Sequence, residues 1–339
     1  MRLSEFDYHL PDELIAQAPL EDRAASRMLV LHRDSGRIED RHFRDLPRYL
    51  GEGDCLALNN TRVFPARLLG RKPGYERQVE IFLLKPASPD RLVWSALARP
   101  GRHLHAGARV DFSERLSCEI LESGLRGERT VRFSCDGDFD AELEAAGHVP
   151  LPPYIHRPDA APDRERYQTV YAEKRGSVAA PTAGLHFTPE VLAACEARGA
   201  AVARVTLHVG LGTFQPLTHD EVSLNQLHAE PYEICGVNAE RLRHARRIVA
   251  VGTTTVRTLE SAARNGGLEP QSGETRLFIY PGFEFQATGA LLTNFHLPKS
   301  SLLLLVSAFG GPDQVLNAYR YAVDQRYRFF SYGDCMLIV

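Results

Sequence analysis

The chain has 339 residues, 44% of them hydrophobic, and a formal net charge of −3. This length allows two domains that each bury a core of their own. The longest apolar run, residues 302–306, is far shorter than the roughly 18 residues that cross a bilayer, and the N-terminus lacks the apolar stretch of a signal peptide. Composition therefore excludes a membrane-spanning helix and predicts a cytoplasmic protein without a membrane partner.

The six cysteines are spread along the chain and form no Cys-x-x-Cys pair. Scattered thiols of this kind are typical of a reducing compartment, where they stay free. They also lack the close spacing that an iron–sulfur cluster or a structural zinc ion requires. We therefore expect reduced cysteines and no metal.

Residues 1–60 contain signals for several short elements. The proline at position 11 favours a helix over residues 11–15, because proline fits the first turn. A turn sequence, Asp-Ser-Gly at 34–36, separates two strand-like segments and predicts a hairpin. The apolar residues 54–58 then predict a buried strand.

From residue 62 to about 150 the hydrophobic pattern has a period of two, in short runs separated by Gly, Pro and Ser clusters. These runs cover residues 79–83, 91–97, 108–112, 118–121 and 130–133. Many short strands with turn signals between them are typical of a small antiparallel barrel or sandwich. A short helix is predicted over residues 139–146, before the chain returns to its first domain.

After residue 154, strand and helix patterns alternate. The sequence Thr-Pro-Glu at 188–190 is a helix start, with an N-cap, a proline and an acid in order, and Gly199 ends that helix. Further helices are predicted over residues 238–247, where Asn238 would be the N-cap, 253–266 and 312–324. Strands interleaved with helices of this length indicate a helix-flanked, largely parallel sheet.

We therefore predict an α/β main domain with a helix-flanked, largely parallel sheet, built from residues 1–60 and 151–339. An all-β, barrel-like domain, residues 61–150, is inserted into it. We expect the insert to be basic, because between residues 61 and 110 ten Lys and Arg stand against three acids, a local balance of +7. This charge pattern is expected of a site for a phosphate backbone, although a solvated surface with scattered arginines has the same composition.

Four stretches in the second half of the chain carry small residues, hydroxyls, imidazoles and cations where a packed core would have aliphatic side chains. They are PTAGLHF (181–187), HVGLGTF (208–214), GTTTVR (252–257) and TNFHLPK (293–299). Three of them follow short apolar runs, so each is predicted to leave the carboxyl end of a strand. That edge of an open α/β sheet is where ligands bind.

These four stretches resemble the S-adenosylmethionine:tRNA ribosyltransferase-isomerases of queuosine biosynthesis. The resemblance begins at FDY (6–8) and also includes LNNTRV (58–63), LPPYI (151–155), DRERYQTVY (163–171) and RFFSYGD (328–334). It implies an α/β domain interrupted by an inserted β domain. It also implies an enzyme that transfers and isomerises the ribosyl group of S-adenosylmethionine onto a 7-aminomethyl-7-deazaguanine in tRNA.

By this resemblance the acceptor base lies at the wobble position of a tRNA with a GUN anticodon, and the products are epoxyqueuosine in tRNA, adenine and methionine. S-adenosylmethionine is then a substrate, the ribosyl donor, and no metal takes part. We expect a monomer.

The implied chemistry needs a base that removes a proton from the sulfonium-activated 5′ methylene and an acid that protonates the departing adenine. Histidine serves either role near neutral pH. We predict His186 or His208 as the base, with Glu230 or His296 assisting. His228 lies beside Glu230 and the two could bind a metal, but no third ligand is evident.

Glycines and hydroxyls of the four stretches are predicted to bind substrate. The 252–257 stretch offers backbone N–H groups and a cation to an anion, although helix capping by one threonine would explain the same motif. Asn and Thr can read base edges, and Lys can neutralise a phosphate. The predicted substrate-binding residues are Thr182, Gly184, Gly210, Gly212, Thr213, Thr253, Thr254, Arg257, Asn294 and Lys299.

Residues 163–171 mix cations with an aromatic ring, as a contact to an anticodon loop would, because exposed bases stack on rings. A salt-bridged surface loop has the same composition. Together with the basic insert, this segment supplies the predicted tRNA-binding residues Arg62, Arg67, Arg99, Arg102, Arg164, Arg166 and Tyr167. The family pattern has Asp where this chain has Asn60, so Asn60 is not among the predicted catalytic residues.

Two other function classes fit parts of the sequence. A non-catalytic tRNA-binding module of the same fold needs the basic insert but not the His, Thr and Arg loops. A nucleoside hydrolase or glycosyltransferase that acts on a free small molecule needs the loops but not the insert. Salt dependence separates these classes, because tRNA binding weakens steeply with ionic strength.

Overall fold

The computed structural model describes residues 1–210 and 217–339. Its strands are β1 (Arg27–Leu31), β2 (Ile38–His42), β3 (Asp54–Asn59), β4 (Thr61–Val63), β5 (Arg67–Arg71), β6 (Gln78–Pro86), β7 (Val93–Arg99), β8 (Arg109–Asp111), β9 (Leu116–Ser123), β10 (Glu128–Cys135), β11 (Gly147–His148), β12 (Lys174–Ser177), β13 (Ala201–Leu207), β14 (Glu230–Ile234), β15 (Arg247–Val251), β16 (Gln271–Thr275), β17 (Ala290–Asn294) and β18 (Cys335–Ile338).

The α-helices are α1 (Phe139–Ala146), α2 (Asp163–Arg166), α3 (Pro189–Ala197), α4 (Gly236–His244), α5 (Thr253–Arg264), α6 (Ser301–Gly310) and α7 (Pro312–Asp324). Short 3-10 helices lie at Leu3–Phe6, Asp12–Leu14, Arg23–Ala25, Phe43–Tyr49, Gly101–His103, Leu125–Gly127, Thr182–His186 and Val222–Leu224. In the part of the chain that the structure describes, no helix is both long enough and apolar enough to cross a bilayer.

The main sheet has nine strands in the order β16-β14-β13-β3-β15-β17-β18-β1-β2. Its centre, from β13 through β3 and β15 to β17, is parallel. The strands β14 and β16 at one end and β2 at the other pair antiparallel with their neighbours. The predicted helix-flanked α/β sheet is confirmed, and the structure refines it to a mixed sheet whose parallel part is chiefly its centre.

The central strand β3 is buried on both faces, which explains its nearly continuous apolar sequence. Cys55 and Ala57 contribute to the core beneath α4 and α5. Leu56 and Leu58 contribute to the second core, beneath α3. Because successive side chains of a strand point to opposite faces, one strand supplies both layers.

The insert forms a closed antiparallel barrel in the order β5-β6-β7-β10-β9-β8, and β11 adds to β5. Closure occurs where β5 pairs with β8, at Arg71 and Asp111. The close approach needs a glycine at position 70, since a Cβ there would lie 2.7 Å from the Val110 Cγ1 atom. The predicted barrel is confirmed, with a separate core that contains Ile81 and Trp94.

Helix boundaries follow local capping signals at α3, where the Thr188 hydroxyl accepts a hydrogen bond from the Val191 backbone at 3.3 Å. The predicted helix over residues 238–247 is wrong at both ends. It begins at Gly236 and ends at His244, and Arg247 already belongs to β15. Asn238 is no cap because its Oδ1 atom accepts a hydrogen bond from the Arg204 backbone of β13 at 2.9 Å.

One buried carboxylate joins α5 to the chain that enters β17. Glu260 is fully buried, and its oxygens accept hydrogen bonds from the backbone N–H groups of residues 286, 287 and 288, at 2.9 to 3.1 Å. Arg264 adds an ion pair at 2.9 Å. A charged acceptor with several donors is among the stronger contacts in a protein interior.

We expect Glu260→Gln to lower the free energy of unfolding by about 3 kcal/mol, because the amide would present a donor to backbone donors and leave Arg264 unpaired. Urea denaturation measures this. The matched control is Glu240→Gln on the exposed face of α4, which should change stability by less than about 0.5 kcal/mol. Equal stability of the two variants would contradict the prediction.

Candidate functional site

A cavity of about 280 Å³ lies where β15 and β17 end and α5 begins. Its volume is near the lower end of the roughly 300–1,000 Å³ that is usual for small-molecule sites. The carboxyl edge of the parallel strands is where an open α/β sheet binds ligands. The lining consists of Pro153, Tyr154, Val209, Phe330, Ser331 and residues 179–183, 252–254 and 293–302.

All four distinctive stretches contribute to this cavity, the 208–214 stretch through Val209 alone among its described residues. The predicted site residues that line it are Thr182, Thr253, Thr254, Asn294, His296 and Lys299. Those that lie away from its lining are Gly184, His186, His208, Gly210, Glu230 and Arg257. Gly212 and Thr213 lie outside the described residues.

The first turn of α5 faces the cavity without a side-chain cap among the described residues. Gly252 occupies the N-cap position with φ +87°, a left-handed conformation that favours glycine. Thr254 is positioned from behind, since its hydroxyl accepts a hydrogen bond from Asn59 Nδ2 at 3.1 Å. Backbone N–H groups and the helix dipole at such a start suit an anion.

His296 is the predicted catalytic histidine that reaches the cavity. Its Nε2 atom lies 2.8 Å from the Thr293 hydroxyl, and its backbone N–H donates to the Tyr319 hydroxyl at 3.1 Å. The Tyr8 hydroxyl donates to its carbonyl oxygen. Burial lowers the pKa of His296 to about 3. The imidazole is therefore neutral at neutral pH, and the same burial disfavours its protonated form.

His186 lies behind Asn294. Asn294 Nδ2 donates to the Phe330 carbonyl at 2.9 Å and to His186 Nε2 at 3.2 Å. His186 Nε2 is therefore the acceptor, and Nδ1–H donates to the Ser26 hydroxyl at 2.7 Å. Burial lowers the pKa of His186 to about 4. With both nitrogens engaged, this neutral ring orients the Asn294 amide.

His208 connects the end of β13 to the entry into the insert. Its Nδ1 atom lies 2.8 Å from the Thr61 hydroxyl, and Gly176 leaves room for the ring. Burial, followed by the charge of Lys174, lowers the pKa of His208. This position is away from the cavity lining.

Arg257 and Glu230 form a buried ion pair beside the cavity. Arg257 Nε also donates to the Leu277 carbonyl at 3.0 Å, and Glu230 Oε1 accepts from the Gly210 backbone at 2.9 Å. The guanidinium of Arg257 is directed to Glu230 and to main-chain carbonyls, and its contact with the substrate stays a prediction. The pair holds Gly210, the last described residue after β13.

The remaining predicted binders have local roles. Gly184 is required for packing, because a Cβ there would lie 2.1 Å from the Tyr171 hydroxyl oxygen. Lys299 lines the cavity with its ammonium 2.6 Å from the Asp7 carboxylate. Both partners are about half exposed, so this pair is weak and can open to a ligand.

The predicted tRNA-binding residues differ in their exposure and in what they contact. Arg67 and Arg99 line a groove between the barrel and residues 148–159, whereas Arg62 and Arg102 are exposed at other points of the surface. Tyr167 is fully buried, so the prediction that it stacks on an exposed base is wrong.

Arg164 and Arg166 bind the chain itself. Arg164 donates to the Gly147 carbonyl at 2.7 Å, and Arg166 donates to the carbonyl of Leu20. Both guanidinium groups fix the 163–167 segment rather than reach outward. The salt-bridged interpretation of this segment is therefore the better one.

Asn60, which departs from the family pattern, is buried and structural. Its Oδ1 atom accepts from the Thr206 hydroxyl at 2.7 Å, and its Nδ2 atom donates to Glu173 at 3.2 Å. An Asp could not make the second bond. Among the described residues, no group of three His, Cys, Asp or Glu is arranged to hold a metal.

Sequence reasoning missed Tyr154, Phe330 and Ser331 as cavity residues. They belong to the motifs LPPYI and RFFSYGD, which lie far apart in the chain and contain no charged group at the cavity. A Tyr-Phe pattern has no spacing that predicts a pocket, so only the folded chain shows that the two motifs meet.

The lowered pKa of His186 makes stability depend on pH. Because its folded pKa, about 4, is below the unfolded value, its stabilising contribution is complete above about pH 6.5 and is lost as pH falls toward 4. Between about pH 7.5 and about pH 5, we expect the free energy of unfolding to fall by about 2 kcal/mol more in wild type than in His186→Gln. Urea denaturation at both pH values tests this, with exposed His219→Gln as the control that should behave like wild type. An equal loss in His186→Gln would refute it.

Comparison with known proteins agrees with the family resemblance of the motifs. The model of a family described as queuosine biosynthesis protein matches residues 3–338. Two S-adenosylmethionine:tRNA ribosyltransferase-isomerases, from Solibacter usitatus and Heliobacterium modesticaldum, are 61% and 51% identical, with 100% of each chain covered. A crystal structure of an S-adenosylmethionine tRNA ribosyltransferase from Thermotoga maritima has a TM-score of 0.57 and 41% identity, covering 99% of this chain and 100% of that one. This chain therefore belongs to the S-adenosylmethionine:tRNA ribosyltransferase-isomerase family of queuosine biosynthesis.

Proposed function

We propose that this protein transfers and isomerises the ribosyl moiety of S-adenosylmethionine onto 7-aminomethyl-7-deazaguanine at the wobble position of a tRNA with a GUN anticodon. The products are epoxyqueuosine in tRNA, adenine and methionine. The cavity carries this proposal, because it combines an apolar wall with convergent polar groups at the ligand edge of the sheet. Full-length relatives that bear the corresponding name support it.

In this proposal the donor's methionine carboxylate binds at the first turn of α5, where backbone N–H groups face the cavity. Lys299 supplies a second positive charge. The hydroxyls of Thr182, Thr253 and Thr254 are available to the ribose hydroxyls. These groups orient the donor so that its 5′ carbon and its anomeric carbon face the acceptor.

The base of the reaction is His296. Of the predicted catalytic residues it is the one that lines the cavity, among the residues described. It removes the proton from the 5′ carbon next to the sulfonium, which leaves a carbanion there. The acceptor's amino nitrogen bonds to the anomeric carbon as the bond to adenine breaks, and the proton lost by the amine passes to the departing adenine. The bond from the 5′ carbon to sulfur breaks as the rearrangement to the epoxide is completed, which releases methionine. His186 takes part as a positioning residue through Asn294.

The tRNA binds along the groove between the barrel of the proposed insert, residues 61–150, and residues 148–159. Arg99 is exposed there and has no ion-pair partner among the described residues, whereas Arg67 is paired with Glu80 at 3.0 Å. The groove and the cavity share Pro153 as a lining residue. A phosphate backbone in the groove therefore lies close to the donor.

A cytoplasmic location and a monomeric chain belong to the same proposal. The free thiols of Cys55, Cys118, Cys135, Cys195, Cys235 and Cys335 support a reducing compartment. No metal is needed for the proton transfer or the displacement as proposed.

The central test incubates purified protein with S-adenosylmethionine and tRNA that carries the aminomethyl-deazaguanine. We expect one adenine released per modified nucleoside, with the mass gain of an epoxycyclopentanediol group. His296→Gln should slow adenine release by about 10²- to 10⁴-fold, and exposed His219→Gln should not. No adenine from wild type, together with salt-sensitive tRNA binding, would refute the transferase in favour of a non-catalytic binding module.

A second test concerns the groove. Arg99→Gln should weaken tRNA binding and reduce the slope of log affinity against log salt by about 1, because one phosphate contact is lost. The control is Arg109→Gln, an exposed barrel arginine that is paired with Asp111 and lies outside the groove lining. Filter binding across a salt series measures both. Identical slopes for Arg99→Gln and wild type would contradict the proposed groove.

A further inference from the structure

Two aromatic rings in the cavity wall have no role in the function described so far. Tyr154 and Phe330 stack on each other with ring centroids 4.3 Å apart and an interplanar angle of 25°. Both line the cavity. They come from LPPYI and RFFSYGD, two motifs of the family resemblance that contribute no proposed catalytic group.

Hydrogen bonds fix the position of this pair. The Tyr154 hydroxyl lies 2.5 Å from the Ser331 hydroxyl, and the Tyr154 carbonyl accepts from Gln17 Nε2 at 2.9 Å. The Phe330 carbonyl accepts from Asn294 Nδ2 at 2.9 Å and from the Gly333 backbone at 2.9 Å. The rings are therefore preorganised rather than free to rotate away.

Phe330 also has an unusual backbone conformation. Its φ is +69°, in the left-handed region that a bulky residue adopts rarely. Such a conformation costs energy and persists where surrounding contacts impose it, most often at ligand sites. The Asn294 and Gly333 bonds are the contacts that impose it here, and the result is a phenyl ring in the cavity wall.

Tyr154 follows Pro153, the residue that lines both the cavity and the groove. Pro153 lines both spaces, and Ile155, His156 and Arg157 continue the same segment along the groove. None of the residues in the first turn of α5, where the donor's carboxylate is proposed to bind, lines the groove. Tyr154 therefore stands in the chain between Pro153 and Ile155, which line the groove, and itself lines the cavity.

We propose that Tyr154 and Phe330 form an aromatic platform for the target base of the tRNA. The base stacks on it once it has rotated out of the base stack of the anticodon loop. This inference rests on the proposed function. An enzyme that acts on a base must take the base out of its stack, and protein rings replace the lost stacking. Adenine of the donor is the other planar ring at the site, so the test separates the two.

The test compares two tRNAs, one with the deazaguanine base and one with an abasic wobble nucleotide. Tyr154→Leu and Phe330→Leu should weaken binding of the base-carrying tRNA by about tenfold and leave binding of the abasic tRNA unchanged. Tyr154→Phe and Phe330→Tyr keep the rings and should retain the base-dependent part of the affinity. Filter binding gives both affinities, and thermal melting verifies that each variant is folded.

Three outcomes would contradict the proposed stacking of the target base on these two rings. An equal loss for both tRNAs means that the rings only support the structure, and no loss for either means that they do not contact the base. A weaker affinity for S-adenosylmethionine by equilibrium dialysis, with unchanged tRNA binding, assigns the rings to adenine. Wild-type adenine release is measured in parallel, so that failure of the transferase is distinguished from failure of the platform.

Discussion

The buried amide of Asn59 joins the elements on which the site depends. It lies at the end of the central strand β3 and is fully buried. Its Oδ1 atom accepts from the backbone of Leu207 and of Thr61, each at 3.1 Å, and its Nδ2 atom donates to Leu207 at 3.0 Å and to Thr254 at 3.1 Å. One side chain thus fixes the end of β13, the exit toward the insert and the start of α5. A buried amide tolerates little displacement, because any unpaired atom costs desolvation energy.

The polar groups of the site fall into two sets according to what they contact. The Arg257–Glu230 pair, His186 and His208 are directed at protein partners and hold loops in place, whereas His296 and Lys299 lie in the cavity wall. Burial keeps both His186 and His296 neutral. The site therefore has a rigid polar support behind a cavity that carries few charges of its own.

The inserted barrel bears on the second substrate, the tRNA. Its barrel has a separate core, and its charge is uneven: residues 61–110 have a balance of +7, whereas residues 111–150 carry four Lys and Arg against ten acids. The chain returning from it, residues 149–155, forms one wall of the groove and one wall of the cavity. A tRNA and a small donor can thereby meet across a single stiff, proline-rich segment.

The sequence alone determined the elements and the family. Period-two runs specified the barrel strands, the Thr-Pro-Glu cap specified the start of α3, and small polar motifs after apolar runs marked the ligand edge, because these signals are local. The boundaries of α4 were predicted wrongly, because the Asn238 side chain bonds to β13 instead of capping the helix. Which motif residue lines the cavity was decided only by the tertiary structure. His186 and His296 stand in similar stretches, yet packing against Phe43 and Asn294 turns one away while the other enters the cavity. Tyr167 is buried and Tyr154 lines the cavity for the same reason: side-chain direction depends on contacts between segments far apart in the chain.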